Sequence, residues 1–173
     1  MKDILSNKFA FLCVLVLGAA LTRLLPHYPN FTAIGAVALF GGAHFDKKWM
    51  AVLVPFVALL ITDAIIGFHS TMFAVYLSFG LTILIGIAIQ QRKSLGTIAV
   101  ASVLSSVVFF AITNFAVWTV GGYYPKDIPG LVACFTAAVP FFSTTLLGDL
   151  LFTAVLFGSF ALAKKKIPVL VKA

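Results

Sequence analysis

Nearly uncharged apolar runs, most of them long enough to cross a membrane as a helix, dominate this chain. They leave little room for any fold but a helical bundle in a bilayer. Crossing the hydrocarbon core takes about 20 apolar residues. Read between polar punctuation, the runs cover residues 9–25, 31–45, 49–68, 71–89 and 95–120, and a last one covers 131–163. That last run is too long for one simple span, and Pro140 divides it into 131–139 and 141–163. Proline lacks the N–H that a helix interior uses, so a break or kink is expected there. The expected fold is all-α. It is one domain over residues 1–173 with six transmembrane helices and an extra short helix, 131–139, before the last span.

Composition removes the competing classes. The chain is 62% hydrophobic and 10% charged, whereas soluble domains are about 45–50% apolar and about 25% charged. A soluble globular domain, a disordered chain and a disulfide scaffold are excluded. A net charge of +7 would suggest nucleic acid on a soluble domain. Here the cations sit in short clusters between apolar runs, so the expected partner is the lipid bilayer and not nucleic acid. Cys13 and Cys134 show no metal or redox spacing. No phosphate loop of the form GxxxxGK[ST] is present, and no cofactor or metal is expected.

The basic residues also set an orientation, because lysine and arginine stay on the cytoplasmic side. Lys2, Lys8, Lys47, Lys48, Arg92, Lys93, Lys164, Lys165, Lys166 and Lys172 fall on one side of a six-span arrangement, and only Arg23 and Lys126 on the other. Both termini are therefore expected in the cytoplasm. The start of the chain mimics a secretory leader, with Lys2 and Lys8 before an apolar stretch and small residues at Gly18-Ala19-Ala20. Cleavage would leave five spans with the two ends on opposite sides, against the charge pattern.

Ionisable groups inside a membrane helix are costly and by default mark function. Their depth is the informative feature. Asp63 lies one to two turns from the outer end of the third span, and Arg23 lies in the last turn of the first. Asn114 lies about two turns below the end of the fifth span, and Asp149 about 12 Å below Phe141 on the sixth, at about 1.5 Å per residue. All four fall in the outer half, and the inner half is read as apolar. Phe142, Thr145, Asp149 and Thr153 form one stripe on the last helix, and Asn114 and Trp118 share a face on the fifth. The outer loops hold His27, Tyr28, Asn30, His69, Tyr123, Tyr124, Lys126 and Asp127. Aromatic walls with a few convergent polar groups suit a small-molecule site. The candidate substrate-binding residues are Arg23, His27, Asn30, Asp63, His69, Asn114, Trp118, Tyr123 and Asp149. Each has a plainer reading. Arg23 would pair with Asp63 or Asp149, Asn114 would bond between helices, and Trp118 and Tyr123 would belong to an interfacial aromatic belt. Small residues four apart, Thr32/Ala36 and Ala38/Gly42, suit close packing within the bundle or a docking face for a membrane partner.

The stretches RLLPHYPNFT (23–32), DAIIGFH (63–69), TNFAVW (113–118) and PFFSTTLLGD (140–149) resemble an uncharacterised family of small bacterial six-span membrane proteins. That family is similar to the substrate-binding S components of energy-coupling-factor vitamin transporters and, more distantly, to small solo cobalamin transporters. The resemblance implies a protein of the bacterial cytoplasmic membrane that captures a vitamin-like small molecule at its outer face. It also implies, as a partner, a transmembrane coupling subunit with ATPases. Nickel and cobalt S components resemble one another in a histidine right after the initiator Met. Here that position is Lys2, which speaks against a metal-ion substrate. For cobalamin, His69 or Cys134 would be the cobalt ligand. Mixed Arg and Asp groups would suit a zwitterionic or heterocyclic vitamin.

Two other classes compete with this reading. One is an assembly protein whose polar residues only hold the bundle together. The other is an intramembrane enzyme with Asp63 and Asp149 as a carboxylate pair and His27 or His69 as base, which needs the two carboxylates within a few ångströms.

Overall fold

A computed structural model describes residues 2–167 and residue 170. Among these the chain forms six α-helices and no strand: α1 (Lys2–Leu21), α2 (Ile34–His44), α3 (Lys48–Ile66), α4 (Met72–Ala88), α5 (Leu95–Val120) and α6 (Ile128–Lys166). A 3-10 turn, Thr22–Leu24, continues α1. Lys172, one of the cations expected at the cytoplasmic face, lies outside the described residues. Polar caps fix two helix starts. Ser94 Oγ accepts the Thr97 N–H at 3.2 Å to open α5. Asp127 accepts the Gly130 N–H at 2.7 Å to open α6, with Pro129 in its first turn.

Four segments are long and apolar enough to cross a membrane: Asn7–Leu24, Lys48–Ile66, Leu95–Val120 and Ile128–Lys166. Their outward faces carry exposed leucine, valine and phenylalanine side chains, among them Leu60, Val100, Leu104, Leu151 and Val155. Water would not tolerate so many together, whereas lipid would solvate them. The helices run up and down, so the basic residues 8, 47, 48, 92, 93 and 164–166 gather at one end of the bundle.

The 31–45 run differs from its expected form. Its helix has eleven residues, Ile34–His44, which at about 1.5 Å per residue is little more than half the hydrocarbon thickness. Nine of those residues are buried, on every side of the helix. So α2 is the core of the bundle rather than one of its lipid-facing staves. Its glycines explain how a helix can be surrounded so closely. A methyl group on Gly41 would strike the ring of Pro55 on α3, and one on Gly35 would strike Asp149 on α6. At Gly42 a methyl would strike the Ile83 carbonyl of α4 and come within 2.9 Å of the Gly86 Cα. The small-residue pair Ala38/Gly42 thus serves packing inside the bundle, and Ala36 is fully buried as well, whereas Thr32 precedes α2 and is half-buried.

A helix that stops inside a bundle must satisfy its last carbonyls there. Gln90 Nε2 donates to the Gly42 carbonyl at 2.8 Å and to the Phe45 carbonyl at 3.1 Å. Lys93 Nζ donates to the Ala43 carbonyl at 3.0 Å, placing a cation where the helix dipole favours one. Burial, with Lys164 and Lys8 adding to it and Asp46 opposing, pulls the Lys93 ammonium below its usual pKa range. On the rim of the same end, Lys8 and Asp46 pair at 2.9 Å. Gln90→Ala strands two carbonyls, each costing about 1–3 kcal/mol when buried. It is expected to lower the thermal unfolding midpoint of the purified protein by several degrees, whereas Gln91→Ala, at an exposed position, leaves it unchanged.

The last run also differs from its expected form. α6 is one continuous helix of 39 residues with Pro140 inside it, so there is no separate short helix over 131–139. Ser106 of α5 meets Asp149 of α6, and the Asn114 carbonyl meets Cys134. The two meeting points are eight residues apart on α5 and fifteen apart on α6. Between them Phe110 of α5 packs on Phe135 and Phe142, which flank Pro140. Beside this stretch lies a cavity, which Ala138, Phe141 and Phe142 line.

Candidate functional site

At the end of the bundle opposite the basic residues, the helices enclose this cavity of about 500 Å³. That size suits small-molecule sites, which run to about 300–1,000 Å³. Its floor is formed by Ile34 and half-buried Gly35 at the start of α2 and by buried Phe79 and Thr82 of α4, Ser105 of α5 and Asp149 of α6. Its middle wall is aromatic, with Phe109 and Phe110 of α5 facing Phe142 of α6. The Phe110 and Phe142 rings lie 4.9 Å apart, and Phe135 packs edge-on against Phe110 at 5.6 Å. Its rim is exposed and polar, with His27, Asn30 and His69.

Asp149 joins the floor to the core. α2 begins at Ala33, which offers no side chain to cap the free N–H groups of its first turn. The carboxylate of Asp149 fills that role from another helix. It lies against Gly35 and faces the backbone N–H of Ala36. Its other oxygen accepts from Ser106 Oγ at 2.7 Å. One turn below, Ser102 and Thr153 share a hydrogen bond at 3.3 Å. Three members of the stripe read from the sequence, Phe142, Thr145 and Asp149, line the cavity, and Thr153 lies beneath it.

Arg23 reaches the cavity wall with its charge already engaged. Its guanidinium donates to Thr62 Oγ1 at 2.9 Å and forms a short ion pair with Asp63. Asp63 is 3% exposed and does not line the cavity. The Tyr76 hydroxyl, buried without a hydrogen-bond partner, lies beside the same carboxylate. Asp63 and Asp149 therefore belong to two separate clusters and form no shared-proton pair. Asn114 lines the wall; its Nδ2 bonds back to the Phe110 carbonyl at 2.8 Å, which leaves its oxygen for another donor. Asn30 shapes the rim through its backbone as well. It has φ of 63° after Pro29, in a turn closed by the Phe31 N–H to the Tyr28 carbonyl at 3.0 Å.

Trp118 and Tyr123 stand apart from the cavity. Trp118 holds the 121–127 loop: its Nε1 donates to the Pro125 carbonyl at 2.8 Å, and Lys126 bonds the Trp118 carbonyl and covers the ring. Tyr123 is 81% exposed. Reading single residues also missed lining positions. Ser105, Phe109, Thr113 and Val117 line the cavity and recur every four residues along one face of α5, a periodicity visible in the sequence. Thr82 and Phe79 on α4 gave no such signal. His44 contradicts the reading of an apolar inner half. It sits at the basic end with its ring 4.3 Å from Phe40, 4.9 Å from Phe157 and 4.7 Å from Phe160, and Nδ1 against the Phe40 carbonyl at 3.1 Å.

The fold and the cavity define a class: an all-helical bundle with membrane-length helices and an aromatic-walled pocket at one end. The chain belongs to the family of unknown function DUF6580, whose model matches residues 4–170. No curated protein and no solved structure matches it.

Proposed function

We propose that this chain is a membrane-embedded small-molecule binding protein that serves transport, of the kind that the S components of energy-coupling-factor vitamin transporters represent. In this reading the helices lie across the bacterial cytoplasmic membrane with six crossings. The 25–33 segment completes the second of them, where α2 alone is too short. The basic end and both termini face the cytoplasm, and the cavity opens outward to take a vitamin-like substrate. A transmembrane coupling subunit with ATPases is the partner this reading implies.

One observation carries the reading: the cavity has a mouth at one end and a packed floor. Below Asp149 and Gly35 the bundle is filled by α2, whose residues 36–43 are all buried, and the far end of α2 is closed by Gln90 and Lys93. A cup captures and releases through one face, whereas a channel needs a continuous polar path. The assembly-protein reading draws on Arg23 being engaged by Asp63 and on Trp118 anchoring a loop. It leaves the cavity itself without a role.

The test is native mass spectrometry of the full chain released from nanodiscs. Wild-type protein is expected to carry a small molecule. Asn114→Leu, similar in volume but without the free amide oxygen, is expected to lose at least tenfold in occupancy at equal yield. Wild-type protein that carries nothing, or equal occupancy in the variant with the molecule bound elsewhere, would count against the site.

A further inference from the structure

We infer that the cavity selects organic cations, an aromatic or heterocyclic ring bearing a positively charged nitrogen, with Asp149 as the counter-charge. This deepens the proposed function and rests on the cavity being a ligand site.

The inference follows from which charges at the cavity are already balanced. Arg23 is the cation on its wall, and Asp63 neutralises it from behind. Asp149 is the anion on its floor, 5% exposed. Among the described residues it has no cationic partner, only the Ser106 hydroxyl and the first turn of α2. A helix N-terminus supplies roughly half a positive charge, less than the full negative charge of an ionised carboxylate. With Asp149 ionised, the floor is therefore net negative in a site where water screens little. Above it stand Phe110 and Phe142, one to two turns along their helices from Ser106 and Asp149. The faces of aromatic rings attract cations and gain most where the site is dry. A carboxylate below and ring faces above match a charged nitrogen carried on a flat apolar body. They disfavour a carboxylate or phosphate ligand, which would approach Asp149 as a like charge.

The test uses three indole compounds of similar shape: tryptamine (cation), tryptophol (neutral) and indole-3-acetate (anion). Each is titrated calorimetrically into the full chain in nanodiscs. Tryptamine is expected to bind at least tenfold more tightly than the other two. Asp149→Asn keeps one oxygen for the first turn of α2, lets its amide donate to Ser106 Oγ, and removes the charge. It is expected to abolish the tenfold preference, tryptamine then binding no more tightly than tryptophol. Should that variant fail to fold, Phe110→Leu provides a second reading, with tryptamine weakened several-fold more than tryptophol; equal weakening of the two overturns the assignment. Equal binding of all three, or a preference for indole-3-acetate, overturns the cation assignment while the cavity stands as a ligand site. If wild-type protein binds none of the three, both the assignment and the proposed function fall.

Discussion

Gly86→Leu is expected to abolish folding of the bundle, because it forces apart two helices that touch through their backbones. Gly86 and Gly42 bring α4 and α2 into this contact. A Cβ at Gly86 meets the Leu39 carbonyl, the Gly42 Cα at 2.9 Å and the Ala43 N at 3.0 Å. All three are backbone atoms, so no rotamer change relieves the clash and α4 must move away from α2. That movement also withdraws Gln90 and Lys93, which lie just beyond the end of α4 and cap α2. Overpacking alone costs about 1–3 kcal/mol, and each stranded buried carbonyl about 1–3 kcal/mol more. Together these approach the whole stability of a typical domain, about 5–15 kcal/mol. Gly158→Leu is the control, since nothing lies within 4 Å of that position. Size-exclusion profiles and thermal melts of the two variants decide the matter. A Gly86→Leu protein that melts with the control would refute the contact.

Arg23→Ala is expected to destabilise by about 3–5 kcal/mol, the usual cost of stripping one partner from a buried ion pair. Asp63 is 3% exposed and would be left with no cation, and Thr62 would lose the guanidinium it accepts from. Asp63→Ala alone should cost less, because the long Arg23 side chain sits near an open rim and can turn its charge outward. The double variant Arg23→Ala/Asp63→Ala is expected to recover most of what Arg23→Ala loses. Unfolding midpoints of the four proteins give the coupling energy directly. Additive losses would show that the pair contributes little. Of the pair only Arg23 lines the cavity, so Asp63→Ala by itself reports on the bundle.

Membrane-length helices, their order and most of their limits were legible from apolar runs and polar punctuation. The α5 limits, 95 and 120, coincide with the run read from the sequence. The stripe on α6 was legible because helical spacing is a local property. Six of the nine candidate residues, Arg23, His27, Asn30, His69, Asn114 and Asp149, line one cavity, while Asp63, Trp118 and Tyr123 do not. The sequence could show that Trp118 lies near the outer end. Whether its ring points to a ligand or to the Pro125 carbonyl depends on how the 121–127 loop closes.

What the sequence determined by itself was therefore one-dimensional: which segments are apolar enough for lipid, where helices start and stop, and which end of each carries polar groups. Tertiary structure decided the rest. Hydropathy does not distinguish a helix bathed in lipid from one buried in protein, so α2 reads as a span until its neighbours are seen to surround it. Nor does a proline announce whether its helix breaks or continues, and α6 continues through Pro140, joined to α5 on both sides of it. The same holds for charge. Arg23, Asp63 and Asp149 look interchangeable along the chain, and only their placement makes one pair neutral and leaves the third carboxylate without a cation.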